Sequence, residues 1–382
     1  MTLVFIAGLL FTALALHPFT TYPASLWAMR KVRPFMRPLY QRAFPQARPL
    51  TFSLLTSAHN EEAVAAQMVH NRLSVAALRK AEILVYDDAS HDFTPEILSG
   101  YEAHIRFIRG TERHGKSFGM NCLADAASGD ILVFSDANVE LSEDLLERLE
   151  DHFRDPKVGC VCGHLIYTNA GDSAMADTGT KYWRLEEQIK MLETATGSAM
   201  GADGSLFAIR RSLHRPVPAD VIDDMYISFS ILADGYRVVR AEDCRAFERS
   251  ATSNGDEFRR KARIACQAFN VHRMLKNRLA KLSLVDRYKY YSHKWLRWLS
   301  PFTGALGLAL LAWTFHAWAG HRAFMLAGCA ALLTICVLDL VRPAMVRKAW
   351  SAAISFCGVG YGVLQSIRGS RYQTWTPTAS VR

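Results

Sequence analysis

Between about residue 50 and residue 270 the chain alternates short apolar runs, each ending in a polar cluster, with longer stretches of helical periodicity. Thr51–Ser57, Ile83–Asp88, Ile105–Arg109 and Ile131–Asp136 read as strands. Strands alternating with helices predict an open, mostly parallel, Rossmann-like α/β sheet. The ligand crevice of such a sheet lies beyond the carboxyl ends of its strands, so the polar clusters are the candidate site.

On either side the pattern is continuous. Residues 2–16 are almost uniformly apolar, and further apolar runs occupy 302–319, 323–341 and 349–366. Each approaches the about 20 residues needed to cross hydrocarbon. No A-x-A-like site or positive n-region frames the first run, which favours a retained anchor over residues 1–28 rather than the alternative, a cleaved signal peptide. Arg30, Lys31, Arg33, Arg37, Arg42 and Arg48 follow it, so the positive-inside rule places the 50–270 domain in the cytosol of a multi-pass inner- or plasma-membrane protein. Residues 301–367 are read as C-terminal membrane helices, although Gly358, Gly360, Gly362 and Gln365 weaken the last run and Arg368 and Arg371 follow it. Lys276–Ser300 mixes Leu, Tyr and Trp with many cations. It reads as a helical segment in the interface with its cations toward the cytosol, the alternative being a surface helix packed on the soluble domain.

Composition agrees with a soluble core plus membrane segments: 50% of the 382 residues are hydrophobic and the mean hydropathy is +0.02. The net charge of +9 gathers beside the apolar runs, which points to membrane lipids as partners. A basic face interleaved with aromatics, or a recognised reading module, is missing from the sequence, so nucleic acid is not an expected partner. The eight cysteines are scattered, and Cys160 and Cys162 are too close for a CxxC clip, which argues for reduced thiols and against a zinc or disulfide framework.

Neither a GxGxxG loop nor a GxxxxGK[ST] loop follows the first strand. Instead Ser57-Ala58-His59-Asn60-Glu61-Glu62 stands there, with helix capping as an alternative role for its polar residues. The second strand ends on adjacent Asp87 and Asp88, placed to accept hydrogen bonds from a ribose or base. Lys116, after His114 and Gly115, opens a helix where its charge and the helix amides suit a phosphate. Asp136 and Asn138, two apart on extended backbone, offer oxygen ligands for Mg²⁺ or Mn²⁺ bridging a diphosphate, with a plain Asx turn as the alternative. Asp223 and Asp224 open a helical stretch, where either is a candidate general base and N-capping is the alternative. Arg259, Arg260, Lys261 and Arg263 form a basic helical cluster suited to a diphosphate leaving group or to a solvated face.

In this order the elements resemble family 2 glycosyltransferases of the GT-A type, the group that includes cellulose, hyaluronan and poly-N-acetylglucosamine synthases. The resemblance covers about residues 51 to 298 plus the anchor pattern. It implies that His59, Glu61, Asp87 and Asp88 hold the nucleotide, and that Asp136-Ala137-Asn138 stands for the family's DxD with one anionic ligand missing. Lys116, Arg260 and Arg263 are, from their own chemistry, further candidates to contact the nucleotide sugar. Ile222-Asp223-Asp224 resembles the acidic base motif, making Asp224 the base and Asp223 its helper. Gly201-Ala202-Asp203-Gly204 resembles the loop that meets donor sugar or acceptor. Arg259-Arg260-Lys261-Ala262-Arg263 replaces the QxxRW of processive members. The implied activity is a metal-dependent inverting transfer of a sugar, from a UDP-sugar by the family's habit, to a lipid-linked or exopolysaccharide hydroxyl. Two rivals are transfer to a polyprenyl phosphate, which needs no strong base, and a catalytically inactive scaffold that only binds nucleotide sugars.

Overall fold

The computed structural model describes residues 1–32, 48–168, 174–248 and 255–372, so Arg33, Arg37 and Arg42 of the basic stretch lie outside the described residues. The expected strands are β1 Phe52–Ala58, β2 Glu82–Asp87, β3 Arg106–Arg109 and β4 Ile131–Ser135. Each bound lies within one residue of the sequence reading. Their side chains alternate between two cores. Leu54, Val85 and Val133 pack with Val69 of helix α3 (Glu62–Ala77), while Leu55, Leu84 and Phe134 pack with Met120 of α5 (Lys116–Ala126). The short helix α4 (Thr94–Ser99) lies between β2 and β3. Burial on both faces is why these strands read as unbroken apolar runs.

The sheet continues through β5 Glu140–Leu141, β6 Val158–Tyr167, β7 Leu206–Arg210 and β8 Arg237–Glu248. Its order is β3-β2-β1-β4-β7-β6-β8-β5. The first four strands are parallel, but β7 runs antiparallel to both β4 and β6, and β5 antiparallel to β8, whereas β6 and β8 are parallel. The "mostly parallel" expectation is therefore corrected to a mixed sheet. Strand periodicity carries no direction: Leu206 pairs with Ser135, so the chain re-enters the sheet at the end where β4 leaves it. That reversal carries residues 196–205 across the crevice edge. Helices α6 (Leu145–Phe153), α7 (Ala174–Ala195), α8 (Asp223–Ala233) and α9 (Gly255–Leu279) complete the domain.

Among the described residues, two helices are long and apolar enough to cross a membrane, Thr2–Phe19 and a window within Leu284–Val341. The first includes α1 (Thr2–Leu16), followed by α2 (Thr21–Val32). The second runs from α10 (Leu284–Tyr290) through a π turn at Tyr291–Trp295 into α11 (Leu296–Val341), whose helix breaks at Gly320 with φ +81°. Helix α1 lies against α11 at two glycine notches: a Cβ on Gly8 would sit 2.9 Å from Leu311 Cγ, and one on Gly307 2.5 Å from Thr12 Oγ1.

The third apolar run forms α12 (Pro343–Ile367), and its later half packs on α9. A Cβ on Gly362 would lie 2.2 Å from the Ala262 carbonyl oxygen, and one on Gly358 3.2 Å from that of Phe258. The glycines that weaken this run as a membrane span are thus a helix-packing surface, as small residues are wherever two helix backbones come close. Polar ties extend the seam: Ser366 Oγ donates to Asn270 Oδ1 at 2.5 Å and Gln267 Nε2 to the Tyr372 carbonyl at 2.8 Å.

Three cations of 276–300 also differ from expectation. Lys289 is buried and donates to the carbonyls of Glu193 (2.9 Å) and Ser198 (3.2 Å), while Lys294 and Arg297 pair with Glu186 at 3.4 and 2.5 Å. They turn inward because α7 presents buried carboxylates there, and such charges require partners. His293 bridges Glu193 (2.7 Å) and Glu186 (3.0 Å).

Candidate active site

The end of β1 turns through His59 and Asn60, the latter at φ +54°. Asn60 N–H donates to Ser90 Oγ at 2.8 Å and its Oδ1 accepts from His91 N–H at 2.9 Å, which locks this turn to the one after β2. His59 Nδ1 donates to the Asp88 carbonyl at 2.8 Å, and burial with Arg113 nearby holds the imidazole below its usual pKa. Glu61 lies at the start of α3, its N–H donating to Thr94 Oγ1 at 2.7 Å.

The two strand-end aspartates have different surroundings. Asp87 is fully buried and accepts from Ser90, and burial raises its carboxyl despite that hydrogen bond. Asp88 accepts one backbone N–H on each oxygen, from His114 and Gly115, both at 2.8 Å. It thereby fixes the loop that delivers Lys116. Gly115 takes φ +91° immediately before α5, a conformation that favours glycine.

Lys116 is the hub of the crevice. Its Nζ donates to Asp136 Oδ1 at 2.7 Å and lies 3.6 Å from Asp223 Oδ2. Burial opposes the ammonium charge, but Asp136 and Asp223 outweigh it and raise the lysine's pKa. Asp136 is itself held by a residue the sequence reading passed over: the buried Arg72 donates to Ser135 Oγ (3.0 Å) and to the carbonyls of Asp136 (3.1 Å) and Val139 (3.0 Å). An arginine on an apolar helix face was the only sequence signal for it.

Asp223 and Asp224 open α8, but neither caps it; the N-cap position is Ile222 and no side chain accepts there. Asp224 Oδ1 accepts the Met225 N–H at 2.5 Å. Burial first, then Asp223, raises the Asp224 carboxyl to about 7, with Lys116 opposing the rise. A carboxyl there exchanges protons near neutrality.

The loop before β7 closes on this pair. Gly201 has φ +100°. Ala202 N–H donates to Ser228 Oγ at 3.1 Å, and Ser228 donates in turn to the Asp224 carbonyl at 2.7 Å. Asp203 is paired with buried Lys190 and accepts from Cys162 Sγ at 3.4 Å. The closest approach is by Gly204, where a Cβ would lie 3.2 Å from Asp224 Oδ2 and 3.3 Å from Lys116 Nζ. Asn138 Nδ2 donates to Glu248 Oε1 at 3.0 Å. Burial, and then the Asp136 carboxylate, raises Glu248 to about 7, with Arg260 opposing. Arg263 donates to Gln267 Oε1 at 3.1 Å; burial and Arg260 lower its pKa while Asp223 raises it.

The structure therefore joins Lys116, Asp136, Asp203, Asp223, Asp224, Arg260 and Arg263 in one electrostatic cluster, with Asn138 beside it through Glu248. His59, Glu61, Asp87 and Asp88 form an adjoining group at the β1 and β2 ends. The oxygens of Asp136 and Asn138 form a hard donor set that fits Mg²⁺ or Mn²⁺. Another potential ligand group among the described residues, His152, Asp243 and Cys244, sits on α6 and β8.

A parallel half-sheet ends in a lysine–carboxylate cluster, and a reversed strand delivers a glycine loop to it, which makes an α/β domain with a charged crevice at its sheet edge. Residues 53–217 match the family described as Glycosyl transferase family 2, which supports a family 2 glycosyltransferase. An N-acetylglucosaminyltransferase of Rhizobium meliloti (strain 1021) is 26% identical over 155 residues, covering 37% of this chain and 36% of that protein. A beta-monoglucosyldiacylglycerol synthase of Trichormus variabilis is 27% identical over 184 residues, covering 46% and 39% respectively. The matches thus span well under half the length of these relatives. Among solved structures, the mannosyltransferase PcManGT of Pyrobaculum calidifontis, in complex with GDP-Man and Mn²⁺, superposes with a TM-score of 0.68 at 19% identity, covering 96% of this chain and 100% of that one. The fold is GT-A.

Proposed function

We propose that the protein is a membrane-bound inverting glycosyltransferase that moves a sugar from a nucleotide diphosphate donor, with UDP as the expected nucleotide, to a hydroxyl of a lipid-linked or polysaccharide acceptor. The observation that carries this reading is Asp224: a half-buried carboxyl raised to about 7 beside the Lys116–Asp136 pair, at the crevice edge of the sheet. Asp224 takes the acceptor's proton as the acceptor oxygen attacks the anomeric carbon. The bond from that carbon to the β-phosphate oxygen breaks, and the electron pair leaves with the nucleoside diphosphate. Asp223 holds Lys116 in place, and Lys116, Arg260 and Arg263 stabilise the charge developing on the leaving group. Asp136 and Asn138 would hold Mg²⁺ or Mn²⁺, which supplies Lewis-acid stabilisation of the diphosphate when bound. His59, Glu61, Asp87 and Asp88 shape the nucleotide end, and Gly204 leaves room for the sugar.

A base poised near neutrality favours a hydroxyl acceptor over a polyprenyl phosphate, which arrives already ionised. The relatives' names, an N-acetylglucosaminyltransferase and a glucosyldiacylglycerol synthase, support a hexose donor and a lipid or saccharide acceptor. The exposed apolar residues of α1 and α11, among them Leu3, Leu10, Leu308, Trp318 and Leu333, support anchoring in a bilayer. We place the catalytic domain on the cytosolic side, where nucleotide sugars are made.

The test is incubation of the purified full chain in detergent with Mn²⁺, lipid extract and a panel of labelled nucleotide sugars. Label entering lipid or polymer, and lost in Asp224→Asn, is the expected result. Donor binding without turnover would favour the inactive scaffold, and transfer to polyprenyl phosphate surviving in Asp224→Asn would favour the phosphate acceptor.

A further inference from the structure

The candidate cation site lacks one charge where Asn138 replaces an aspartate, yet a carboxylate lies against that asparagine. Glu248 ends β8, the strand that pairs with β6 and β5 on the far side of the sheet, so it comes from the opposite end of the sequence domain. It accepts from Asn138 Nδ2 at 3.0 Å and from Ser205 Oγ at 3.4 Å. Asn138 and Glu248 also share the lining of a cavity of about 230 Å³ with Asn71, Ala137 and Val139. If Glu248 served only to tie β8 to the loop after β4, a glutamine would make the same tie without the cost of burying a charge. A carboxyl group in that place supplies the acidic function that asparagine lacks, directly against the Asn138 amide.

We propose that Glu248 is a positioning residue that restores the missing charge: it holds the amide of Asn138 so that Oδ1, not the NH₂, faces the ion. The pair Asn138–Glu248 thus does what a second aspartate would do alone. This rests on the reading that Asp136 and Asn138 hold a divalent cation. Outer partners that orient a metal-binding side chain typically change metal affinity by about 10- to 100-fold when lost.

The experiment titrates Mn²⁺ into the full chain in detergent with UDP present, reading free Mn²⁺ by electron paramagnetic resonance. Glu248→Gln keeps the size and still accepts from Asn138, so a purely structural role predicts wild-type binding. The proposal predicts a loss of about tenfold or more. The exchanged pair, Asn138→Asp with Glu248→Gln, rebuilds both the charge and the hydrogen bond with donor and acceptor swapped. It should return Mn²⁺ affinity to within about threefold of wild type, the scatter expected of additive changes. Wild-type Mn²⁺ binding in Glu248→Gln, or an exchanged pair as weak as the single variant, overturns the proposal. Should Glu248→Gln alone not fold, the exchanged pair decides by the same threefold criterion. Wild-type binding in Asp136→Ala would place the ion elsewhere and overturn the cation site itself. The expected binding pattern in a protein that transfers no sugar would sink the proposed reaction and leave this inference standing.

Discussion

Asp224→Asn keeps the side chain's size and its acceptor for the Met225 N–H, and it deletes a carboxylate that burial and Asp223 raise from 3.8 to about 7. The folded-state value lies above the unfolded one, so between pH 3.8 and about 7 the unfolded chain has released a proton that the folded chain retains. Stability therefore falls as pH rises through that window and is flat above it. At about 1.4 kcal/mol for each pH unit, the full penalty is about 4 kcal/mol. Sharing of the effect with Asp223 and Lys116 leaves about 1 to 4 kcal/mol to be recovered at pH 8 by an asparagine that never ionises. The same change removes the proton acceptor and should cost about 10² to 10⁴ in turnover, with donor affinity nearly unchanged. The assay is thermal unfolding of the ligand-free protein in detergent at pH 5 and pH 8, with turnover measured on the same preparation. The variant should melt higher than wild type at pH 8 and lose most of that advantage at pH 5. A variant that melts lower at pH 8, or that keeps more than about a tenth of the rate, refutes the assignment of the base. If Asp223→Asn were the inactive one instead, the base would move one residue along α8.

Asp136→Ala should abolish turnover at any Mn²⁺ concentration, and full wild-type activity in excess chelator would contradict the metal role. In wild type, log kcat should climb with a slope of one up to about pH 7 and then level, because only ionised Asp224 accepts the proton; a flat profile from pH 5 to 8 would count against it. Gly362→Leu forces α12 off the Ala262 carbonyl, and overpacking of this kind typically costs about 1–3 kcal/mol or more. A lowered melting temperature is the expected reading, and an unchanged one would show that the α9–α12 seam does not form.

The β1–β4 half of the fold was legible because doubly buried strands ending in acidic clusters write both their bounds and their outer tips into the sequence. Asp88 and Asp136 stand at such tips, while Lys116, Asp223 and Asp224 open helices. Strand direction was not legible beyond β4, since an alternating run looks the same whichever way it enters the sheet. Arg72, Ser228 and Glu248 were missed because each reads as an ordinary polar residue on a helix or strand. Only tertiary contact gives Arg72 the Asp136 turn, Glu248 the Asn138 amide and Ser228 the Ala202 N–H to hold. The inward-facing Lys289 and Arg297 were misplaced for a related reason: a cation's partner on a distant helix leaves no trace in its own segment.

The glycine seam between α12 and α9 sets where this protein can be cut. The face of α9 that carries Ala262, Ala265 and Gln267 is covered by α12 and Tyr372, and Arg260 and Arg263 belong to that same α9. A fragment trimmed at residue 298 would strip this cover and leave apolar and carbonyl surface open to solvent, on the helix that bears the arginines proposed to meet the diphosphate. The piece that looks dispensable is part of the wall on which Arg260 and Arg263 stand, so a useful expression boundary lies after Tyr372 rather than before the first C-terminal apolar run.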